Sequence, residues 1–358
     1  MSDEIKFSTD GGLATVEMTR PKALNALTHG MVKEMAAKLE DWEHDDAIGA
    51  VVIKGEGEKA FCAGGDVRAV WRSVKEDNGG EPSELSKWFF FDEYRLNHQI
   101  HAFSKPFVAL LDGVTMGGGV GVSIHGSHRI ATERLMFAMP ETAIGLFPDV
   151  GGGWFLPRLP GETGTYLALT GARLDAAGAC ALGIATHYVP SSRLEGFEAQ
   201  LASALAIGAQ GRTAVNDVLE RLSEPAGEDP LAPHRALIDA CFKPNSVEEI
   251  IDALSADGSD FAIETRDSLL HKSPTSLKIS LELMRRGREA SNLADVLLLE
   301  YRLSQACMAG HDYYEGIRSV LVDKDHDPKW QPATLAEVGD DIVAAHFKAP
   351  AQGDWSLA

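Results

Sequence analysis

Phe107-Val108-Ala109-Leu110-Leu111-Asp112-Gly113-Val114-Thr115-Met116-Gly117-Gly118-Gly119 is the stretch on which the fold class turns. Five apolar residues in succession, ended by Asp-Gly, suit a strand covered on both faces; a half-exposed strand would alternate. Upstream, Ala50-Val51-Val52-Ile53 repeats the pattern and is ended by Gly55-Glu56-Gly57, and downstream Arg129-Ile130-Ala131-Thr132 is a weaker third case. Helical stretches separate them, among them Trp88–Phe103. Nearer the start, Thr28 is placed to cap a helix whose Met31, Met35, Leu39 and Trp42 share one apolar face. Ile5–Ser8 and Leu13–Met18 alternate around Asp10-Gly11-Gly12, the signature of a β-hairpin. Covered strands alternating with helices predict an α/β fold.

Beyond about residue 210 the strand patterns stop. Ala214–Leu222, Val247–Leu254, Ala262–Leu270, Ser276–Arg286 and Leu293–Cys307 all read as helices, separated by Pro225, Pro230, Pro244 and Pro274. This pattern divides the chain into an α/β part over 1–210 and a helical region over 211–358. Of the 358 residues 44% are hydrophobic and 24% charged, which excludes disordered, collagenous and disulfide-stapled classes. Lys+Arg 33 against Asp+Glu 53 gives a net charge of −20, so nucleic acid and anionic membrane surfaces are excluded as main partners by repulsion. A small anionic ligand still fits a site lined with backbone N–H groups.

Cys62, Cys180, Cys241 and Cys307 are far apart and form no C-x-x-C, as expected for a reducing compartment. The start Met1-Ser2-Asp3-Glu4 is acidic, unlike a signal or transit peptide, and no run of about 18 apolar residues occurs. The expectation is a cytoplasmic protein.

Dinucleotide, P-loop, zincin and α/β-hydrolase motifs are all missing. His125 and His128 stand three apart and could share a helix face, but no partner follows at a ligand spacing, so no metal site is read. Ser123, His125 and Asp149 contain the residue types of a catalytic triad, with no proximity to support it. Two glycine-rich segments stand out. Phe61-Cys62-Ala63-Gly64-Gly65-Asp66 links a buried strand to a helix that Asp66 would open, and Gly117-Gly118-Gly119 follows the next buried strand. Glycine costs roughly 1 kcal/mol relative to Ala inside a helix, so such runs belong where backbone must approach something closely. Unusual φ/ψ or close helix–strand packing would explain either segment. Two in equivalent places point to a paired backbone N–H site for an oxyanion.

Met139-Pro140-Glu141-Thr142-Ala143-Ile144-Gly145-Leu146-Phe147-Pro148-Asp149-Val150-Gly151-Gly152-Gly153 sets two acids among apolar neighbours. An unpaired carboxylate is costly there. Either Asp149 caps a helix starting near Gly151, or Glu141 and Asp149 form a pair tuned for proton transfer or nucleophilic attack.

Together, F-C-A-G-G-D, M-G-G-G-V-G and P-E-T-A-I-G-L-F-P-D-V-G-G-G resemble the crotonase (enoyl-CoA hydratase/isomerase) superfamily. The last is most similar to its 3-hydroxyisobutyryl-CoA hydrolase branch. The resemblance runs from Arg20-Pro21-Lys22-Ala23-Leu24-Asn25-Ala26-Leu27 to Tyr313-Tyr314-Glu315-Gly316-Ile317-Arg318, Asp323-Lys324-Asp325 and Pro328-Lys329-Trp330. It implies a spiral of stacked ββα units with a helical C-terminal region and an acyl-CoA ligand. It assigns the oxyanion hole to the Gly65 and Gly118 amides, catalysis to Glu141 and Asp149, and a further substrate contact to Glu93, for which a solvated or capping role is the alternative. Lys22, Ala23, Leu24, Ala63 and Asp66 fall where the family receives adenine and pantetheine. Self-association through the helical C-terminal region is also implied. In hydratases of the family a second glutamate occupies the position that is Gly121 here, so this sequence departs from the hydratase pattern.

The resemblance therefore implies hydrolysis of a 3-hydroxyacyl-CoA, foremost 3-hydroxyisobutyryl-CoA in valine breakdown. No separate cofactor is implied, because coenzyme A is part of the substrate. The net negative charge requires local cations for the CoA phosphates; Lys22, Lys54, Lys59, Arg68 and the cluster Arg285-Arg286-Arg288 are the candidates. A hydratase or isomerase of the same fold and a non-catalytic relative are the rival readings. Enone absorbance against thiol release separates the first; the retention of Gly65, Gly118, Glu141 and Asp149 argues against the second.

Overall fold

The computed structural model describes residues 3–80, 82–208, 210–351 and 353–357. Met1 and Ser2, which open the acidic start, lie outside the described residues. The strands are β1 (Ile5–Asp10), β2 (Leu13–Met18), β3 (Ala50–Gly55), β4 (Ala60–Cys62), β5 (Phe107–Leu111), β6 (Val114–Met116), β7 (His128–Ala131), β8 (Met136–Ala138) and β9 (His187–Tyr188). One sheet has the order β1-β2-β3-β5-β7-β9 and a smaller one the order β4-β6-β8. From β3 onward each turn of chain thus adds one strand to each sheet before a helix follows: β3 and β4 then Val67–Lys75, β5 and β6 then Gly118–Ile124. The third turn runs β7, β8 and the 3₁₀ helix Glu141–Ile144. This is the stacked ββα layout the resemblance implies.

The expected hairpin is present: β1 pairs antiparallel with β2, and Gly11 and Gly12 turn at φ +54° and +88°. From β2 onward the large sheet is parallel, and β5 is buried at all five positions, as its unbroken apolar run requires. The helix His29–Glu43 is capped by Thr28, whose Oγ1 accepts from Met31 N–H at 3.2 Å, and it buries Met31, Val32, Met35, Leu39 and Trp42. No described strand follows Tyr188.

The chain forms two compact units of interleaved segments. The first comprises Met1–Asp66, Arg95–Phe137 and Arg173–Pro230; the second comprises Val67–Tyr94, Ala138–Ala172 and Leu231–Ala358. The composition boundary near residue 210 falls inside the first. In that unit, Leu13, Ala50, Val52, Val108, Leu110 and Ile130 from the large sheet pack against Phe197, Leu201, Val215 and Val218 from two helices. In the second unit, helices Val247–Asp257, Asp260–Leu270, Pro274–Glu289 and Leu293–Ala309 start at Ser246, Ser259, Ser273 and Asn292. Each of these side chains accepts a first-turn N–H. Gly287 and Gly153 meet backbone to backbone: a Cβ on Gly287 would lie 1.8 Å from the Gly153 oxygen.

No described helix is long and apolar enough to cross a membrane.

Candidate active site

In the first unit, the two glycine turns are neighbours. Leu27 and Gly65 form a parallel bridge in which Leu27 N–H donates to Gly64 O at 2.9 Å and Asp66 N–H donates to Leu27 O at 2.8 Å. That pattern uses the residues on either side of Gly65 and leaves its own N–H unpaired. Gly118 opens the helix Gly118–Ile124, so its N–H is one of the orphan donors of a helix start. Neither amide has a partner among the described residues. A Cβ built on Gly64 would lie 3.8 Å from Gly118 N, so the turns are in van der Waals contact. Gly119 answers the packing alternative: its Cβ would fall 2.2 Å from Cys62 O, so only glycine lets this helix lie on β4.

Ala63 N–H donates to Leu24 O at 3.0 Å, tying the Arg20–Leu27 loop to the same turn. Leu24 and Asn25 adopt φ +51° and +56°, held by the buried Asn25 amide, which donates to Glu56 O and Ala60 O. Beside this loop lies a cleft of about 300 Å³ lined by Lys22, Leu24, Glu58 and Lys59 among others. Lys22 directly follows Pro21 in the 3₁₀ turn Pro21–Ala23. Asp66 is engaged by Arg20 at 2.9 Å.

In the second unit, four acids are buried together: Glu93 on Glu84–Ala102, Glu141 on its 3₁₀ turn, Asp149, and Glu300 on Leu293–Ala309. Asp149 Oδ2 accepts from the Tyr94 hydroxyl at 2.8 Å. Glu93 Oε1, Glu141 Oε2 and the Tyr313 hydroxyl are buried with no hydrogen-bond partner. No ion pair to any of the four acids is found among the described residues.

Electrostatics follow from that burial. Desolvation lifts Glu93 and Glu141 well above the usual carboxylate range, with the Asp149 charge adding to both. Burial raises Asp149 to about 7, against the Tyr94 hydrogen bond, which favours the ionised form. Glu300 is also raised by burial, opposed by two backbone donors. Asp149, raised to about 7, is poised to exchange a proton near neutral pH, and the unpartnered oxygens of Glu93 and Glu141 beside it are open to a ligand.

The Glu141 turn is braced at its end. Gly145 has φ +71°, and a Cβ there would lie 2.1 Å from Asp312 O. Thr142 Oγ1 donates to Leu169 O at 3.1 Å.

Other expectations are corrected. Asp149 does not cap the helix Gly152–Phe155; its Gly151 and Gly153 N–H groups donate to Glu300 at 2.7 and 2.9 Å. Glu93 is neither solvated nor a cap but buried mid-helix. Ser123 Oγ donates to Gly119 O and Val120 O of its own helix, which dissolves the triad. His128 lies on β7, not on a helix with His125, and its ring contacts Ser127 and Asn216. Of the proposed cations, Lys54 is paired with Glu198, Arg285 and Arg286 with Glu282, and Arg288 with Glu162. Lys22, Lys59 and Arg68 have no ion pair among the described residues.

Sequence reasoning missed Glu300 and Tyr94 and gave Tyr313 no role beyond membership of a motif. A signal existed for Glu300, the lone acid in Leu297-Leu298-Leu299-Glu300-Tyr301, where an apolar helix face must bury it.

Comparison with known proteins agrees with this architecture. Residues 13–347 match the enoyl-CoA hydratase/isomerase family. A 3-hydroxyisobutyryl-CoA hydrolase, mitochondrial, from Danio rerio is 46% identical over 356 residues, covering 99% of this chain and 92% of that protein. The protein of the same name from Xenopus tropicalis is 48% identical over 356 residues, covering 99% and 91%. Among solved structures, a carnitinyl-CoA dehydratase from Mycobacterium thermoresistibile superposes with a TM-score of 0.90 at 41% identity, covering 99% of each chain. On sequence and architecture together, the chain belongs to the enoyl-CoA hydratase/isomerase family.

Proposed function

We propose that this protein is an acyl-CoA thioester hydrolase that converts 3-hydroxyisobutyryl-CoA and water to 3-hydroxyisobutyrate and CoA, a step of valine breakdown. The observation that carries the reading is the 46–48% identity, over nearly the whole chain, to proteins of that name.

The Gly65 and Gly118 amides receive the thioester oxygen as it gains negative charge, worth about 3–4 kcal/mol per donor by analogy with other oxyanion holes. Their unpaired state, on adjoining turns, supports that role. Glu141 either attacks the carbonyl carbon, expelling CoA thiolate and leaving a mixed anhydride for water to cleave, or takes a proton from the attacking water. Trapping a Glu141 hydroxamate with hydroxylamine during turnover distinguishes the two routes. Asp149 and Glu93 bind the 3-hydroxyl and arrange water or the leaving thiol; their burial beside Glu141 supports this. Lys22 and Lys59 on the 300 Å³ cleft, and Arg68, are the cations left for the CoA phosphates. Four cysteines outside any disulfide suit a reducing compartment, a setting shared by the cytoplasm and by the organelle in the relatives' names.

One observation favours a second reading, hydration or dehydration of an acyl-CoA: the resemblance to the carnitinyl-CoA dehydratase structure. Gly121 at the place of the second hydratase glutamate speaks against it. The purified protein, given 3-hydroxyisobutyryl-CoA and a thiol reagent, is expected to release thiol at a kcat of at least about 1 s⁻¹. It is expected to leave the enone absorbance of crotonyl-CoA unchanged. Enone loss without thiol release would replace the hydrolase reading with the hydratase one.

A further inference from the structure

The backbone immediately after Asp149 is buried and strained. Val150 has φ +52° and Gly151 φ +87°, left-handed values that a β-branched residue such as Val seldom adopts. The helix Gly152–Phe155 begins there with no capping side chain from its own segment, so its first N–H groups need an acceptor from elsewhere. Glu300, fully buried on Leu293–Ala309, provides one carboxyl oxygen to each of Gly151 N–H and Gly153 N–H, at 2.7 and 2.9 Å. The N-cap position, whose side chain would ordinarily accept these N–H groups, is Gly151 and has none; the nearest acid upstream is Asp149. Because Glu300 takes that place, the Asp149 carboxyl is left to the Tyr94 hydroxyl, among Glu93 and Glu141.

We propose that Glu300 is a positioning residue for the reaction: by capping the Val150–Gly153 turn from outside, it holds Asp149 in its working orientation. It touches no substrate and acts through Asp149, so the inference rests on the reading of Asp149 as a reacting group. Glu300→Gln tests it, because the amide keeps one acceptor oxygen and sets an N–H group against the other backbone donor. Thiol release from 3-hydroxyisobutyryl-CoA and hydrogen exchange of the 149–155 segment are measured on wild type and variant. The expected result is a kcat at least tenfold lower, a KM within threefold of wild type, and exchange at least tenfold faster. Should Glu300→Gln not fold, Glu300→Asp, which keeps both oxygens on a shorter stem, carries the same readouts. An unchanged kcat despite faster exchange would overturn the proposal, as would a loss confined to KM. If wild type releases no thiol, the hydrolase reading fails by itself, and the same comparison on crotonyl-CoA hydration decides Glu300's role.

Discussion

Asp149 is buried, with the Tyr94 hydroxyl on one oxygen and three further acids around it. Its pKa rises from 3.8 to about 7, chiefly through desolvation. A carboxyl raised on folding holds its proton in the native state while the unfolded chain has already lost it. Native protein therefore binds more protons between those two values, and stability falls as pH climbs through that window. Replacing the acid with a neutral isostere removes the penalty. Asp149→Asn is predicted to match wild type near pH 4 and to exceed it at pH 8, by up to about 4 kcal/mol. Urea midpoints at the two pH values check this; a gap that narrows with rising pH would contradict it. Glu141 and Asp149 were legible as a pair from their apolar surroundings, yet the sequence left capping and chemistry equally open. What takes the capping role from Asp149 is Glu300, some 150 positions away, and no local pattern reports such an approach.

The 3₁₀ turn Glu141–Ile144 shows the same division at the scale of an element. Pro140 and Gly145 mark its two ends in the sequence, and Gly145 N–H closes it onto Glu141 O. The close approach that makes Gly145 obligatory comes instead from the helix Asp312–Ile317, where Gly316 also admits no Cβ against Ile144. Gly145→Ala is predicted to cost about 2–5 kcal/mol, combining a left-handed alanine with a backbone clash, and to depress turnover by shifting Glu141. Chemical denaturation checks it; a loss below about 0.5 kcal/mol would show that the turn gives way freely. Strands and helices were otherwise well specified locally: β5 coincides with its apolar run, and Thr28 caps the helix it precedes. His128 was misplaced because two histidines three apart suit a helix face as well as a helix end followed by a strand.

Over the whole molecule, the alternation of strands and helices was readable because β3 and β5 each carry an apolar run and a glycine stop, whereas the ββα order came from the family resemblance. The grouping into interleaved units was not. Composition along the chain records which segments are helical, whereas units are defined by which segments pack, and Val67–Tyr94 packs with residues far downstream. The net charge of −20 was legible too, but which cations lack an ion pair required the structure: Lys54 is paired with Glu198, Arg285 and Arg286 share Glu282, and Arg288 is paired with Glu162.

Glu141 carries the central claim, since its carboxyl is held buried with one oxygen unpartnered. Steady-state thiol release from 3-hydroxyisobutyryl-CoA by Glu141→Gln, beside wild type, addresses it most directly. The amide preserves shape and removes both nucleophile and base, so kcat should fall by about 10²–10⁴-fold with KM within a few-fold. Turnover within threefold of wild type would contradict the account.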